Sequence, residues 1–210
     1  MSDVGPLGTA AVTDQLVVAR SPRLRIRHKV HADAIDDFTW ARDPEIARFN
    51  GTTPREQTLA AFLAEFDYDL AFGPPTRRQF AIESLDGVHI GTVMFYNASY
   101  AQASAELGMT IGPIEYRDCG YGREAAIAFL RFAWETYPFR SFYLHTLAWN
   151  ERAQRSFAAA GFAPSAESRR NGELFVRMEA RREWWLLRDI EGAFQTAERA
   201  FQTAERASVP

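Results

Sequence analysis

The chain has 210 residues, a formal net charge of −3, 47% hydrophobic and 24% charged residues, and a single cysteine. These values suit one globular domain with an extension and give no electrostatic basis for binding nucleic acid. With no partner for a disulfide, no basic and apolar leader and no apolar run of membrane length, we expect a cytoplasmic protein that does not contact a membrane.

Taken in chain order, residues 1–20 are predicted to be a weakly structured N-terminal extension. The segment RLRIRHKV alternates apolar and basic residues, which indicates a strand. It contains Lys29, the only lysine of the chain, and this preference for arginine indicates codon bias in a GC-rich bacterium. The segment ADAIDDFTWARDPE is predicted to be a short helix that ends before Pro44.

A second helix is predicted in TPREQTLAAFLAEFDYDL. Thr53 can cap its N-terminus, Pro54 fits the first turn, and Glu56 completes a capping box. The apolar residues recur at helical spacing and are expected on one face: Leu59, Phe62, Leu63, Phe66 and Leu70.

Three strands are predicted next. QFAIESL and VHIGTVMFYN are separated by Asp86 and Gly87, a hairpin signal, and SAELGMTIG follows. In this third strand Glu106 lies on the polar side, and Met109 lies on the apolar side. An amphipathic helix is predicted from about Gly122 to Tyr137.

The C-terminal half continues with a strand, SFYLHTLAW, and with a helix, NERAQRSFAAAG, between Asn150 as N-cap and Gly161 as C-cap. FAPSAES and ELFVRMEA then form a predicted hairpin around Asn171 and Gly172. The alternation of strands and helices predicts an α/β (α+β) domain with a mixed sheet over residues 21–181.

Residues 182–210 form a separate C-terminal extension, predicted to be helical. The segment AFQTAER occurs twice in tandem, and apolar residues recur at heptad spacing from Leu187 to Ala204. Two interpretations stay open: the helix packs on its own domain, or it pairs with a second copy in a homodimer.

The turn EYRDCGYGREA precedes the amphipathic helix and has the chemistry of an anion site. Gly120 and Gly122 leave their N–H groups accessible, the start of the helix adds positive potential, and Arg117 and Arg123 add charge. A phosphate or diphosphate fits, although a solvated glycine turn has the same sequence. A dinucleotide-binding fingerprint does not fit, because no strand runs directly into the first glycine.

At this point the sequence resembles the GNAT acetyltransferase superfamily, over about residues 22–180. It looks most similar to the branch that acetylates the N-termini of ribosomal proteins. The matching segments are RLRIRHKVHADAIDDF with ARDPEIARF, AELGMTIGPIEYRDCGYGREA, and NERAQRSFAAAGF. The resemblance implies a splayed central sheet with helices on both faces.

The resemblance also implies the ligand. The anion would be the pyrophosphate of coenzyme A, surrounded mostly by backbone groups of Arg117, Cys119, Gly120, Gly122 and Arg123. Backbone groups near Met109 and Ile111 would bind the pantetheine arm, and Asn150 would reach the same arm besides capping its helix. No metal site is expected, since the histidines lack metal-ligand spacing.

The implied reaction is attack of a primary amine on the acetyl-CoA thioester. A lysine-like amine requires about 4.6 kcal/mol to become neutral at pH 7, whereas an α-amino group requires only about one pK unit. Glu106 is the candidate general base, with a purely structural carboxylate as the alternative, and Glu83 and Tyr116 are lesser candidates. Many family members have a tyrosine where this chain has Phe157, so no acid is assigned.

The sequence is therefore compatible with two functions. The first is an acetyl-CoA-dependent N-acetyltransferase acting on a small-molecule or peptide amine. The second is a non-catalytic acyl-CoA-binding or assembly module of the same fold. His145 is interpreted as a structural histidine of the sheet, and Cys119 is not expected to be catalytic.

Overall fold

The computed structural model describes residues 16–187. The strands are β1 (Val17–Arg20), β2 (Leu24–His28), β3 (Arg78–Ser84), β4 (His89–Ser99), β5 (Ser104–Ile111), β6 (Ser141–Leu147), β7 (Ala163–Arg170) and β8 (Glu173–Arg181). The helices are α1 (Ala34–Arg42), α2 (Pro44–Asn50), α3 (Leu59–Phe72), α4 (Tyr121–Thr136), α5 (Glu151–Ala159) and α6 (Arg182–Leu187). Single 3₁₀ turns occupy His31–Asp33 and Ile114–Tyr116. Within residues 16–187, no helix has the length and apolar character needed to cross a bilayer.

The strands form one eight-stranded sheet in the order β1-β2-β3-β4-β5-β6-β8-β7. Neighbouring strands are antiparallel, except for the parallel pair β5 and β6. The mixed α/β architecture predicted from the sequence is confirmed.

A gap opens between β5 and β6 in the middle of this sheet. The two strands pair only where Ser104–Glu106 meets Ser141–Tyr143. Beyond these residues the strands diverge, while β5 stays paired with β4 as far as Ile111. This is the splayed sheet that the resemblance implied, and it places one open strand edge in the centre of the molecule.

The two faces of the sheet differ in chemistry. Helix α4 packs on the apolar face, where the largest buried side chains include Phe80, Phe95, Phe129 and Phe142. Helix α1 packs on the opposite face, and α3 packs against α1. That face carries a buried ionic layer in which the Arg27 guanidinium bonds to Asp33 at 2.8 Å and to Glu83 at 2.6 Å. The molecule therefore has a hydrocarbon core on one side of the sheet and a charged layer on the other.

Three local predictions are wrong. Residues 17–20 of the extension predicted to be weakly structured form edge strand β1, and residues 44–50 form the additional helix α2. Residues 1–15 of that extension lie outside the described residues. Helix α3 begins after Thr58, not Thr53, and the Thr58 side chain accepts from the amide of Ala61. The expected stripe of α3 is also only partly buried, since Leu59 and Leu70 are exposed while Phe62 is buried.

The C-terminal extension is anchored at its start. Trp185 is buried, donates from Nε1 to the carbonyl of Ala160 at 2.9 Å, and packs edge-on against Trp134. The tandem AFQTAER segments and nearly all of the heptad seam lie outside the described residues.

Candidate active site

A cleft of about 1230 Å³ passes through the gap between β5 and β6. One half lies on the α4 and α5 side of the sheet, and the other half lies beneath α1, α2 and α3. The gap therefore connects two compartments of different composition.

The open edge of β5 presents backbone groups to the cleft. The amide of Gly112 donates to the carbonyl of Ile90 at 3.0 Å, on the β4 side. Because an antiparallel strand alternates the direction of its backbone groups, Gly108 and Thr110 also face β4. Met109 and Ile111 then direct their N–H and C=O groups toward β6. No described strand pairs with them there.

The N-terminus of α4 opens onto the same cleft. Gly120 has φ of 86°, a left-handed conformation that favours glycine. As the N-cap residue it has no side chain, so the helix N-terminus receives no side-chain capping hydrogen bond. Within residues 16–187, no acceptor is bonded to the amides of Cys119, Gly120, Gly122 or Arg123. Such N–H groups, together with the helix dipole, form an anion site.

The predicted cofactor-binding side chains have different surroundings. Arg123 and Cys119 are exposed and line the cleft. Arg117 is largely buried: its guanidinium donates to the carbonyl of Gly112 at 3.1 Å and to Glu45 at 2.7 Å. Arg117 thus holds the loop against the end of β5, and its guanidinium is engaged by the protein itself.

Two further arginines support the loop, and sequence reasoning did not identify them. Arg23 donates to the carbonyl of Cys119 at 3.0 Å and pairs with Glu124 at 2.7 Å. Arg152 pairs with Asp118, a residue in the left-handed region with φ of 60°. Both arginines are distant in sequence from the loop, so only the tertiary structure reveals the contacts.

Asn150 is buried at the base of the cleft and caps α5, as predicted. Its Oδ1 accepts from the amide of Ala153 at 3.2 Å, and its Nδ2 donates to the carbonyl of Phe49 at 3.4 Å. The side chain therefore ties α5 to α2 at the point where the two halves of the cleft meet.

Glu106 lies just behind the cleft wall, and its side chain is 8% exposed. Its Oε1 is 2.7 Å from Nδ1 of His145, and its Oε2 accepts from Nδ2 of Asn97 at 3.0 Å. Asn97 has φ of 50° at an irregularity in the pairing of β4 with β5. Asn97 and His145 line the cleft, so they separate the carboxylate from it.

The tautomer of His145 follows from its two neighbours. Nε2 lies 3.0 Å from Nη2 of Arg170, which can only donate. Nε2 must therefore accept, and Nδ1 carries the proton that it donates to Glu106. His145 is a fully bonded histidine that also lines the cleft.

Two tyrosines complete this cluster around Glu106. Burial raises the pKa of Tyr96, and the negative charge of Glu106 raises it further. The pKa of Tyr143 is raised by the same two causes in the same order. Both phenols therefore stay protonated and act as hydrogen-bond donors toward the carboxylate. Tyr96 lines the cleft.

The lesser candidates are placed differently. Glu83 pairs with Arg25 and Arg27 in the buried ionic layer and does not line the cleft. Tyr116 and Phe157 line the cleft, and Phe157 packs edge-on against Phe162. In the described part of the chain, no group of three potential metal ligands exists.

Three comparisons relate this geometry to known proteins. The family model "Acetyltransferase (GNAT) domain" matches residues 23–163. No curated protein sequence matches the chain significantly.

Solved structures share the fold at low sequence identity. One is spermidine N-acetyltransferase from Vibrio cholerae in complex with CoA and spermine, at 20% identity and a TM-score of 0.69, with 78% of this chain and 98% of that chain covered. Another is AAC(6')-Ib in complex with ribostamycin and coenzyme A, at 16% identity and a TM-score of 0.66, with 79% and 96% covered. The family match extends over more than half of the sequence, and the chain therefore belongs to the GNAT acetyltransferase domain family.

Proposed function

We propose that the protein is an acetyl-CoA-dependent N-acetyltransferase that acetylates a primary amine in a ternary complex. The observation that carries this proposal is the row of open amides at the N-terminus of α4, continuous with the open edge of β5. Acetyl-CoA supplies the acetyl group as a thioester when it is bound. The remaining steps depend on residues of this chain.

The α4 side of the cleft suits a diphosphate. Four arginines line it (Arg117, Arg123, Arg152 and Arg155). Arg117, Arg152 and Arg155 each pair with a carboxylate, and Arg123 has no ion pair within residues 16–187. The amides of Gly120 and Gly122 add hydrogen-bond donors that need no side chain. Positive charge and backbone donors together favour a ligand with several negative phosphate oxygens.

The open edge of β5 suits an amide-containing arm. Backbone groups of Met109 and Ile111 are positioned to pair with such an arm as a strand would. The N–H near Met109 would also stabilise the negative charge that develops on the thioester oxygen during attack. Asn150 lies at the end of this path and is proposed to contact the same arm.

Glu106 is proposed to receive the proton of the amine. Because Asn97 and His145 screen the carboxylate from the cleft, and Nε2 of His145 already accepts from Arg170, the proton would reach Glu106 through the phenol of Tyr96. Phe157 cannot protonate the departing thiolate. A thiol near pKa 8.5 leaves unaided at a cost of about 2 kcal/mol at pH 7.

The first experiment measures binding by calorimetry. We expect coenzyme A to bind at least about tenfold more tightly than pantetheine, which lacks the diphosphate, since charge-assisted hydrogen bonds contribute about 1.5–3 kcal/mol. Arg117→Ala should weaken coenzyme A binding by releasing the loop. Equal affinity of coenzyme A and pantetheine, or equal binding by both proteins, would contradict the proposed site.

The second experiment separates an enzyme from a binding module of the same fold. Thiol release from acetyl-CoA is measured with spermidine, kanamycin, an arylalkylamine and a peptide with N-terminal alanine as acceptors. Glu106→Gln should lower turnover while coenzyme A affinity is kept. Binding without turnover on every acceptor would favour the non-catalytic alternative.

A further inference from the structure

The half of the cleft beneath α1, α2 and α3 has an unusual balance of charge, and it bears on which amine the site accepts. The inference rests on the proposed function, because it assigns the acceptor to this half.

Each carboxylate that lines this half has a cationic partner. Asp37 accepts from Lys29 at 2.5 Å and from Thr92 at 2.9 Å, and the Lys29 side chain is 2% exposed. Both oxygens of Glu65 accept from Arg55, at 3.1 and 3.2 Å. Asp69 pairs with Arg77. Each of these three carboxylates thus already has a cationic partner in the protein.

Arg55 also changes the ionisation of its partner Glu65. Burial acts to raise the pKa of Glu65, but the hydrogen bond and charge of Arg55 outweigh it and lower the pKa. Glu65 and Asp69 lie four residues apart on α3, so they share a helix face. Without Arg55 and Arg77, that face would present two adjacent negative charges to the cleft.

Besides polar side chains such as Thr76 and Gln79, the wall has a large apolar and mostly aromatic part. It includes Trp40, Phe49, Phe62, Phe66, Met94 and Tyr96. Trp40 is held in place, because its indole ring lies where a side chain at Gly112 would be and contacts the ring of His89. Phe62 packs against Phe66 and is buried. A rigid aromatic wall stabilises an apolar body by excluding water from it.

We propose that the acceptor is a primary amine with an aromatic or apolar body and no second cation, and that Arg55 and Arg77 select against polyamines. A polycation would have to compete with the two guanidinium groups for Glu65 and Asp69. It would also leave the aromatic wall without a partner. The aryl group of a monoamine can pack against the aromatic wall, and such an amine needs no unpaired carboxylate for a second cation.

The test compares 4-phenylbutylamine with spermidine, on the full-length protein saturated with coenzyme A. Calorimetry should show 4-phenylbutylamine binding at least about tenfold more tightly, the low end of what burial of one aromatic side chain contributes. In the double variant Arg55→Gln/Arg77→Gln, spermidine should gain about tenfold, while 4-phenylbutylamine changes by less than about threefold. Arg181→Gln is the matched control, since it removes an ion pair with Glu179 outside the cleft.

The outcomes separate this inference from the proposed function. Tighter binding or faster acetylation of spermidine by the unmodified protein would overturn the inference while leaving the acetyltransferase standing. An unchanged spermidine affinity in the double variant would overturn the role of the two arginines. The predicted binding preference without thiol release from acetyl-CoA would support the acceptor class and contradict the enzyme.

Discussion

Gly120 and Gly122 lie two residues apart in one turn but have different physical reasons to be glycine. Gly120 has φ of 86°, which strains any residue with a side chain. Gly122 is helical, and an added Cβ would meet Met109 at 3.5 Å and Ser156 at 3.7 Å, which are ordinary contacts. The fold therefore tolerates a methyl group at Gly122, and the proposed diphosphate site does not.

Opposite changes in stability are expected at these two positions. Gly122→Ala should raise the free energy of unfolding by up to about 1 kcal/mol, because alanine favours the helix. Gly120→Ala should lower it by about 1–2 kcal/mol, because of its left-handed backbone. Both variants should weaken coenzyme A binding. Urea unfolding and calorimetry measure the two effects, and unchanged coenzyme A affinity in the stabilised Gly122→Ala protein would contradict the site.

The residues around Glu106 show how far sequence can reach at this scale. Alternation along β5 correctly places Glu106 opposite the apolar side of the strand. Its partners Asn97 and His145 belong to β4 and β6, and their positions depend on strand register and on a local irregularity in β4. Neither the register nor the irregularity can be predicted from a single sequence, because strand register is set by packing in the folded sheet.

At the scale of elements, long periodic segments were predictable and short ones were not. Helix α4 and the hairpins at Asp86–Gly87 and Asn171–Gly172 follow strong local signals. Helix α2 spans only Pro44–Asn50, too few residues to show helical periodicity. The predicted helix end before Pro44 is correct, since α1 ends at Arg42, but Pro44 also begins α2.

The wrong start of α3 has a tertiary cause. The segment around Thr53 satisfies a capping box, but the amide of Arg55 donates to the carbonyl of Ala41 at 2.8 Å. That bond attaches the segment to the end of α1 and keeps it out of the helix. A long-range hydrogen bond of this kind overrides local helix propensity, and it cannot be predicted from the local sequence.

The packing of α1 on β4 predicts how stability depends on pH. Burial lowers the pKa of His89 and the charge of Lys29 lowers it further, which together outweigh Asp33, Asp36 and Asp37. Below about pH 6.5 the unfolded state binds a proton at His89 that the folded state does not. The free energy of unfolding should therefore decrease as the pH is lowered below about 6.5, and His89 contributes at most about 1.4 kcal/mol per pH unit to this decrease.

His89→Gln should give a shallower loss of stability between pH 6.5 and 5 than the unmodified protein. Urea unfolding at several pH values measures the slope. His31→Gln is the control, since the His31 side chain is 66% exposed. Identical slopes for the unmodified protein and His89→Gln would show that His89 does not carry this dependence.

At the scale of the whole molecule, we expect residues 188–210 to be dispensable for coenzyme A binding. Trp185 packs into the core, so a truncation must retain it. A chain that ends at Leu187 should bind coenzyme A within about twofold of the full-length protein, because the cleft residues identified within residues 16–187 all lie upstream of Trp185. Trp185→Ala, in contrast, should lower the free energy of unfolding by about 3–5 kcal/mol.

Analytical ultracentrifugation of the same truncation tests whether the C-terminal extension joins two copies of the chain. If the heptad seam joins two copies, the full-length protein sediments as a dimer and the truncation as a monomer. Loss of coenzyme A affinity in a folded truncation would show instead that residues 188–210 contribute to the site.

The gap between β5 and β6 also makes the sheet mechanically incomplete. Residues 104–106 and 141–143 are the only places where its two halves are joined through backbone pairing of β5 with β6. A ligand arm seated along Met109 and Ile111 would supply the missing rung of the ladder. Deuterium uptake at those two amides should therefore be fast in the free protein and slow once the arm is seated, so that the catalyst becomes stiffer only while it holds its acyl donor.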